Sequence, residues 1–263
     1  MATRKRSKVP ANPKKPKRKA AGRHKAAAQA AAFTSSIRFP NESAAYRRAR
    51  DKLLAAEYAL RRQVETVAAL RRRLPAGGAV PEDYVFEEIA RDLGAHATEQ
   101  VRLSELFVLP GASLVLYNFM FGPDTASPCP MCTSILDALD GEAPHIAQRI
   151  NFAIVAKSPI ERICDFAQER GWRNLRLLSS ADNSYNRDYH GETSSGAQMP
   201  CLNVFEKRQG HVHHFTASEL LYAKPDRNMG HRHVDMVWPL WNVFDVTREG
   251  RGASWHPKLS YGE

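Results

Sequence analysis

Apolar side chains recur at a helical period in the segment that begins near residue 40. They lie about 3.5 positions apart, close to the α-helical repeat of about 3.6. The stripe consists of Tyr46, Ala49, Leu53, Ala56, Leu60, Val64, Val67, Leu70 and Leu74. Asn41 is a suitable N-cap, and Pro75 ends the pattern. The pattern predicts one long helix whose apolar stripe packs on the following domain or on a second copy of the chain, as in a homodimer.

A different pattern follows the turn-rich segment PAGGAVPEDY of residues 75–84. Three nearly continuous apolar runs are typical of buried strands, and they span residues 113–121, 150–156 and 175–180. Helical patterns separate these runs. Gly141 and Pro144 are expected to bend or interrupt the first helix, and Ser158 is expected to cap the second. The order β-α-β-α-β favours a parallel sheet with right-handed crossovers.

The chain continues with a polar stretch and then a hairpin. Residues 181–198 are too polar for a core element and are expected to form a loop. A strand at residues 201–205, a turn at Gln209-Gly210 and a strand at residues 211–215 predict an antiparallel hairpin. The sequence therefore predicts an α/β fold in which a mixed sheet is finished by antiparallel strands.

Positive charge is concentrated at the start of the chain. Eleven of the 38 Lys and Arg residues lie in the first 32 positions, which contain no Asp or Glu. The other 27 basic residues are balanced by 28 acidic ones, so the excess charge of +10 belongs to this segment. It buries too little apolar surface to order itself. The predicted division is a disordered basic tail of residues 1–38, a helical arm of residues 39–78 and a domain of residues 79–263.

Composition excludes several classes of protein. No stretch approaches the roughly 18 apolar residues of a membrane span. Four cysteines in 263 residues do not form a disulfide-rich secreted scaffold. The charge outside the tail is balanced, so no specific nucleic-acid partner is expected. These features favour a cytoplasmic protein.

The candidate chemistry lies in the segment Cys129-Pro130-Met131-Cys132, at the head of a predicted helix. A helix N-terminus carries partial positive charge and free N–H groups, and both favour a thiolate. Cys129 is therefore expected to attack a disulfide, and Cys132 to resolve the mixed disulfide. Three residues along a helix bring both thiols to one face, while Pro130 suits the first turn.

A metal site is the main structural alternative for these cysteines. A tetrahedral zinc site needs four ligands and normally a second cysteine pair, which the sequence lacks. Cys164 lies in an amphipathic helix, where a buried core thiol is expected. Two pairs of histidines are two positions apart, His211 with His213 and His231 with His233. Each pair could bind a transition metal or could face solvent at the edge of the sheet. The prediction is therefore no metal and no cofactor.

The order of elements resembles thioredoxin-like folds. These folds place a cis-proline just before the final hairpin, beside the cysteine pair, where its backbone pairs with substrate. Met199 and Pro200 stand in that place, so a cis peptide bond and a substrate-binding role are expected, with Pro130 and Met131 sharing that role. Cys201 is either a third redox thiol or a small core side chain.

Several segments also resemble the bacterial thioredoxin-like family catalogued as domain of unknown function 899, described as predicted dithiol-disulfide oxidoreductases. The resemblance covers roughly residues 39–250, and its most specific part is NFMFGPD running towards CPMC. RDYHG in the polar loop and WNVFDVTREGRG near the C-terminus belong to it as well. The resemblance implies a thioredoxin fold with Cys129 and Cys132 as the redox pair. From their position in such a fold alone, Tyr185 and Tyr189 of the polar loop could close over that pair as a lid.

Three functions remain open from the sequence. The first is thiol–disulfide exchange with a protein or small-molecule disulfide. The second is reduction of a peroxide, with Cys129 as the peroxidatic thiol and donors from Thr125, Ser127 or an arginine. The third is a non-catalytic binding or redox-sensing role, since a fold does not determine a function. A lowered pKa of Cys129 distinguishes the first two from the third.

Overall fold

The computed structural model describes residues 35–89, 98–227 and 229–262. The chain divides into two units, one ending at Arg73 and the other beginning at Leu74. The predicted tail lies almost entirely outside the described residues, so its disorder stays a prediction. No helix in the described part of the chain is both long and apolar enough to cross a membrane.

The first unit contains the predicted long helix, α1 (Ala44–Arg72). Its N-cap is Ser43 rather than Asn41, since Ser43 Oγ accepts from the backbone N–H of Tyr46 at 3.1 Å. Asn41 lies two residues earlier with φ of 59°, a left-handed conformation that turns the chain before the helix begins. The helix ends two residues before the predicted stop at Leu74-Pro75, with Arg73 as its C-cap.

The second unit is built on a mixed sheet of seven strands in the described residues, in the order β2-β1-β5-β4-β3-β6-β7. The strands are β1 (Val85–Ile89), β2 (Thr98–Arg102), β3 (Leu114–Asn118), β4 (Asn151–Ala156), β5 (Leu177–Ser179), β6 (Leu202–Arg208) and β7 (His211–Ala217). The helices are α2 (Pro130–Ile146), α3 (Ile160–Arg170), the single turn α4 (Tyr185–Asp188) and α5 (Pro239–Asp245).

The pairing of these strands confirms the predicted fold. β3, β4 and β5 are parallel and are joined through α2 and α3, while β6 runs antiparallel to β3 and forms a hairpin with β7. The hairpin turns at Gln209 and Gly210, which both have positive φ. This is the thioredoxin-like arrangement predicted from the sequence. β1 and β2 were not predicted, because these charged segments bury few residues: alternate positions in β1 and only Val101 in β2.

Helix α2 is continuous through Gly141 and Pro144, so the predicted interruption is wrong. Pro144 cannot donate to the carbonyl of Asp140, four residues earlier. Asn174 supplies that hydrogen bond instead, since its Nδ2 donates to Asp140 O at 3.0 Å. A side chain from the connection between α3 and β5 therefore satisfies the carbonyl that proline leaves without a donor.

Two apolar clusters cover the two faces of the sheet. The first contains Cys132 and the inner sides of α2 and α3, together with Phe119, Phe121, Trp238 and Trp241, whose predicted core role is confirmed. Cys164 also lies in this cluster, as expected. The second cluster contains Tyr84, Phe86, Tyr185 and Phe205 among others. The polar stretch was therefore predicted incorrectly, because it contributes the buried Tyr185 and Asn186 to the interior.

Candidate active site at Cys129 and Cys132

Cys129 lies at the junction between the loop that follows β3 and helix α2. It is the N-cap of α2, with an extended backbone, and Pro130 is the first helical residue. Its N–H donates to Met120 O at 3.0 Å, and its carbonyl accepts from both the N–H and the hydroxyl of Thr133, each at 3.0 Å. These bonds fix the backbone of Cys129, so its half-buried sulfur is held at the amino end of the helix.

Cys132 lies one helical turn further on and is only 2% exposed. All four cysteines are free thiols. The S–H of Cys132 donates to the sulfur of Cys129, and the backbone N–H groups of Met131 and Cys132 donate to the same sulfur. The two thiols are therefore already within hydrogen-bonding reach of one another.

This arrangement separates the pKa values of the two thiols. The hydrogen bond from Cys132 lowers the pKa of Cys129 to about 6, against the opposing effect of burial, and the two backbone N–H groups lower it further. The pKa of Cys132 is raised well above its usual range by its bond to Cys129 and by burial. At neutral pH the pair therefore consists of an accessible thiolate and a shielded thiol.

Tyr117 on β3 completes this group and was not predicted from the sequence. Its hydroxyl donates to Cys132 Sγ at 3.3 Å, and its side chain is fully buried. Burial, with the neighbouring Cys132, raises the pKa of Tyr117 well above its usual range, so the hydroxyl keeps its proton. The one sequence signal for the position of Tyr117 was strand alternation, which places it on the same face of the sheet as Phe119.

Arg162 on α3 holds the loop that leads to Cys129. Its guanidinium donates to three backbone carbonyls and one hydroxyl, which are Gly122 O at 3.3 Å, Pro123 O at 2.6 Å, Thr125 O at 2.5 Å and Ser158 Oγ at 3.1 Å. It also lies over the ring of Phe121. Ser158 was predicted to cap α3, but the N-cap is Pro159 and the Ser158 hydroxyl accepts from Arg162 instead.

Met199 and Pro200 lie just before β6, the first strand of the final hairpin. Cys201 O accepts from the N–H of Asn118 at 2.7 Å, so Pro200 precedes β6 beside the end of β3. The described residues contain no cis peptide bond, so the predicted cis bond between Met199 and Pro200 is wrong. An X-Pro bond favours trans unless the surroundings require otherwise. Here the N–H of Met199 donates to Gly191 O at 2.8 Å, and the chain enters β6 in the trans form.

The other predicted auxiliary residues have different contacts from those expected. Cys201 is buried beside Ser218, whose hydroxyl donates to Cys201 Sγ at 3.7 Å. Burial raises the pKa of Cys201, so this thiol is protonated at neutral pH. Tyr185 and Tyr189 pack with Phe205 on the opposite face of the sheet from Cys132, so the predicted lid is wrong.

A family model described as bacterial protein of unknown function (DUF899) matches residues 37–261. The chain belongs to this family. No curated protein matches it. The resemblance inferred from CPMC and its preceding strand is thereby confirmed, and the family description names no reaction.

Solved structures with a similar backbone have low sequence identity to this DUF899 chain. One is peroxidoxin BcpB from Mycobacterium tuberculosis, at 18% identity, covering 64% of this chain and 96% of its own, with a TM-score of 0.39. Another is the reduced 2-Cys peroxiredoxin of Plasmodium vivax, at 17% identity, covering 62% and 95%, with a TM-score of 0.41. Similarity at this level does not establish a shared activity.

Two groups of the kind expected to donate to a peroxide, Thr125 and an arginine, instead donate to backbone carbonyls in this DUF899 chain. The Thr125 hydroxyl donates to Gly122 O at 3.0 Å, and Arg162 is bonded to loop carbonyls. The described residues contain no group of three or more His, Cys, Asp or Glu side chains suited to a metal. His213 and His231 instead bond through Nδ1 to the carbonyls of Gly77 and Leu220. The chemistry that the site offers is that of the two thiols.

Proposed function

We propose that this protein is a thiol–disulfide oxidoreductase in which Cys129 and Cys132 alternate between dithiol and disulfide. The observation that carries the proposal is the position of Cys129 at the N-terminus of α2, with the buried Cys132 one helical turn further on. The pKa of Cys129, lowered to about 6, supports it. A structural thiol in an apolar core has a raised pKa, as Cys164 has at about 11.

The reaction consists of two exchanges. The thiolate of Cys129 attacks one sulfur of a substrate disulfide, a bond forms between the two sulfurs, and the other substrate sulfur leaves as a thiolate that takes up a proton. Cys132 then attacks Cys129 Sγ, releases the second substrate thiol and closes the Cys129–Cys132 disulfide. The protein dithiol loses two electrons, and the substrate disulfide gains them. An external thiol reductant restores the dithiol.

The proposed substrate surface surrounds the exposed side of Cys129. Met131 is 37% exposed between the two cysteines, and Met199 and Pro200 are half-buried just before β6, the strand that pairs with β3. Flexible methionine side chains adapt to varied apolar surfaces. We propose that Met131, Pro130, Met199 and Pro200 contact an extended substrate through apolar groups.

The long helix α1 remains a proposed element of homodimer formation.

Peroxide reduction is the competing chemistry. It needs the same thiolate, together with donors that stabilise the departing oxygen. The sulfur of Cys129 accepts from Cys132 and from backbone N–H groups. Thr125 and Arg162, by contrast, donate to backbone carbonyls. Disulfide exchange requires no additional donor, so it is the function that this geometry favours.

The test is a titration of the purified protein in glutathione redox buffers, with free thiols counted by mass spectrometry. Wild-type protein should convert between dithiol and a Cys129–Cys132 disulfide. Cys132→Ser should trap glutathione on Cys129, whereas Cys129→Ser should trap none. Cys164→Ser is the matched control, because it removes a buried thiol of the same core and should behave as wild type.

Two results would overturn the proposal. One is the absence of a Cys129–Cys132 disulfide at every glutathione ratio. The other is a second-order rate constant for hydrogen peroxide far above that for disulfides, with sulfenic acid detected on Cys129 in Cys132→Ser. The second result would assign the same thiolate to peroxide reduction.

A further inference from the structure

The hydroxyl of Tyr117 touches the thiol that the proposed reaction uses last. Tyr117 Oη donates to Cys132 Sγ at 3.3 Å, and Cys132 in turn donates to the sulfur of Cys129. The three groups form one series of hydrogen bonds that runs from the tyrosine O–H to the Cys132 S–H and on to the Cys129 thiolate. Tyr117 is 0% exposed and Cys132 is 2% exposed, so bulk water does not replace this donor.

These hydrogen bonds matter most after Cys129 has entered a mixed disulfide. Cys132 must then lose its proton to attack, which places a thiolate in a buried apolar cluster. An unpaired buried charge is costly, and a hydrogen bond to the charged form offsets that cost. Two groups donate to the Cys132 sulfur, the backbone N–H of Met120 and the hydroxyl of Tyr117. Tyr117 is the side-chain donor of the two.

We propose that Tyr117 is a catalytic residue of the second exchange, where its hydroxyl stabilises the Cys132 thiolate and so sets the rate at which substrate is released. This inference rests on the proposed function. The Cys132 proton passes to the departing substrate thiolate, or to solvent when that thiolate is a weak base. The bond from Cys129 to substrate breaks as the Cys129–Cys132 bond forms. Tyr117 keeps its own proton throughout.

An aromatic disulfide, dithiobis(nitrobenzoate), separates the two exchanges in one experiment. Attack by Cys129 releases one coloured thiolate, and attack by Cys132 releases the second, so stopped-flow absorbance shows two phases. Tyr117→Phe keeps the ring and removes the hydroxyl. It should slow the second phase roughly 10-fold to 100-fold, the loss expected for a hydrogen bond to a charged group, and move its pH profile upward. The first phase should change less than the second.

The matched control is Tyr84→Phe. Tyr84 is a core tyrosine, 1% exposed, whose hydroxyl donates to Asp188 rather than to a thiol. Tyr84→Phe should leave the rate and pH profile of the second phase unchanged. Equal slowing in both variants would overturn the inference, because it would show a general loosening of the core.

Failure of the inference and failure of the proposed function give different results. If wild-type protein shows no second phase, the proposed function fails. If the second phase is present but keeps its rate and pH profile in Tyr117→Phe, the role of Tyr117 alone is overturned. If Tyr117→Phe does not fold, 3-fluorotyrosine at position 117 supplies a more acidic donor of similar shape. It should accelerate the second phase, and an unchanged rate would contradict the inference.

Discussion

The guanidinium of Arg162 donates to the backbone carbonyl of Thr125 across 2.5 Å, joining helix α3 to the loop that carries Cys129. Two more carbonyls of the same loop accept from the guanidinium. The position of the cysteine pair therefore depends on a side chain from the other crossover helix. A hydrogen bond between a charged donor and a carbonyl is typically stronger than one between neutral groups.

Arg162→Met should destabilise the protein while retaining a long apolar side chain over Phe121. We expect the free energy of unfolding to fall by about 2–3 kcal/mol, since several charge-assisted hydrogen bonds are lost together. Urea denaturation of the reduced protein measures this change. Arg187→Met is the control, because Arg187 is largely exposed and pairs with Asp188 at the surface, and it should change stability by about 0.5 kcal/mol or less. Equal losses in the two variants would show that the loop bonds contribute little.

Two glycine substitutions should have opposite effects. A Cβ on Gly191 would lie 1.9 Å from Asn118 Nδ2, inside a buried polar cluster, whereas a Cβ on Gly141 would meet nothing within 4 Å. Gly191→Ala should cost about 1–3 kcal/mol through overpacking, and Gly141→Ala in helix α2 should stabilise by about 0.5–1 kcal/mol through helix propensity. Thermal unfolding of both variants beside wild type tests the pair. If Gly191→Ala left the thermal stability unchanged, it would mean that Asn118 can move away from the added Cβ without loss of stability.

The lowered pKa of Cys129 predicts how the reduced protein responds to pH. The folded pKa is about 6, and that of an unfolded cysteine is about 8.5. Between these values the unfolded chain binds more protons, so stability rises with pH and is lost as pH falls through about 6. Cys129→Ser removes this dependence. The difference in urea stability between wild type and Cys129→Ser should therefore grow from pH 6 to pH 8.5.

The rate of alkylation provides a second measurement for the same group. Iodoacetamide should react with Cys129 with a midpoint near pH 6, because the thiolate is the reactive form. Cys132→Ala removes the donating S–H and should raise that midpoint, while Cys164→Ser should leave it in place. A midpoint above pH 8 in wild-type protein would contradict the arrangement described for the pair.

His214 should contribute an acid-sensitive element of stability. Its Nε2 bonds to Asn203 Oδ1 at 3.1 Å, and its ring packs against Tyr189 and Phe205. Burial lowers the pKa of His214 from its usual value near 6.5. As pH falls, the unfolded chain therefore protonates this histidine at a higher pH than the folded chain does. The contribution of His214 to folding stability is present above about pH 6.5 and is lost as pH falls below it. Urea unfolding from pH 7.5 to pH 5 should show a steeper loss in wild type than in His214→Gln, and parallel curves would contradict the prediction.

The sequence by itself determined the alternation of elements and the place of the cysteine pair. Continuous apolar runs mark strands that are buried on both faces, and a Cys-x-x-Cys directly before a helical pattern places one thiol at a helix N-terminus. These signals are local, so β3, β4, β5 and the head of α2 could be recognised within a few residues. β1 and β2 could not be recognised in this way, because they are charged segments that bury few residues.

Only the tertiary structure decided which distant groups surround the pair. Tyr117 reaches Cys132 because strand alternation and the crossover of α2 bring them face to face, and Arg162 reaches Thr125 across 37 positions of sequence. Asn174 likewise donates to the carbonyl of Asp140 in α2, which Pro144 leaves without a donor, through a contact 34 positions away. Hydrogen bonds of this kind depend on packing between elements, which residue patterns along one element do not encode. For the same reason the trans bond at Pro200 and the burial of Tyr185 on the opposite face of the sheet could not be derived from the order of elements.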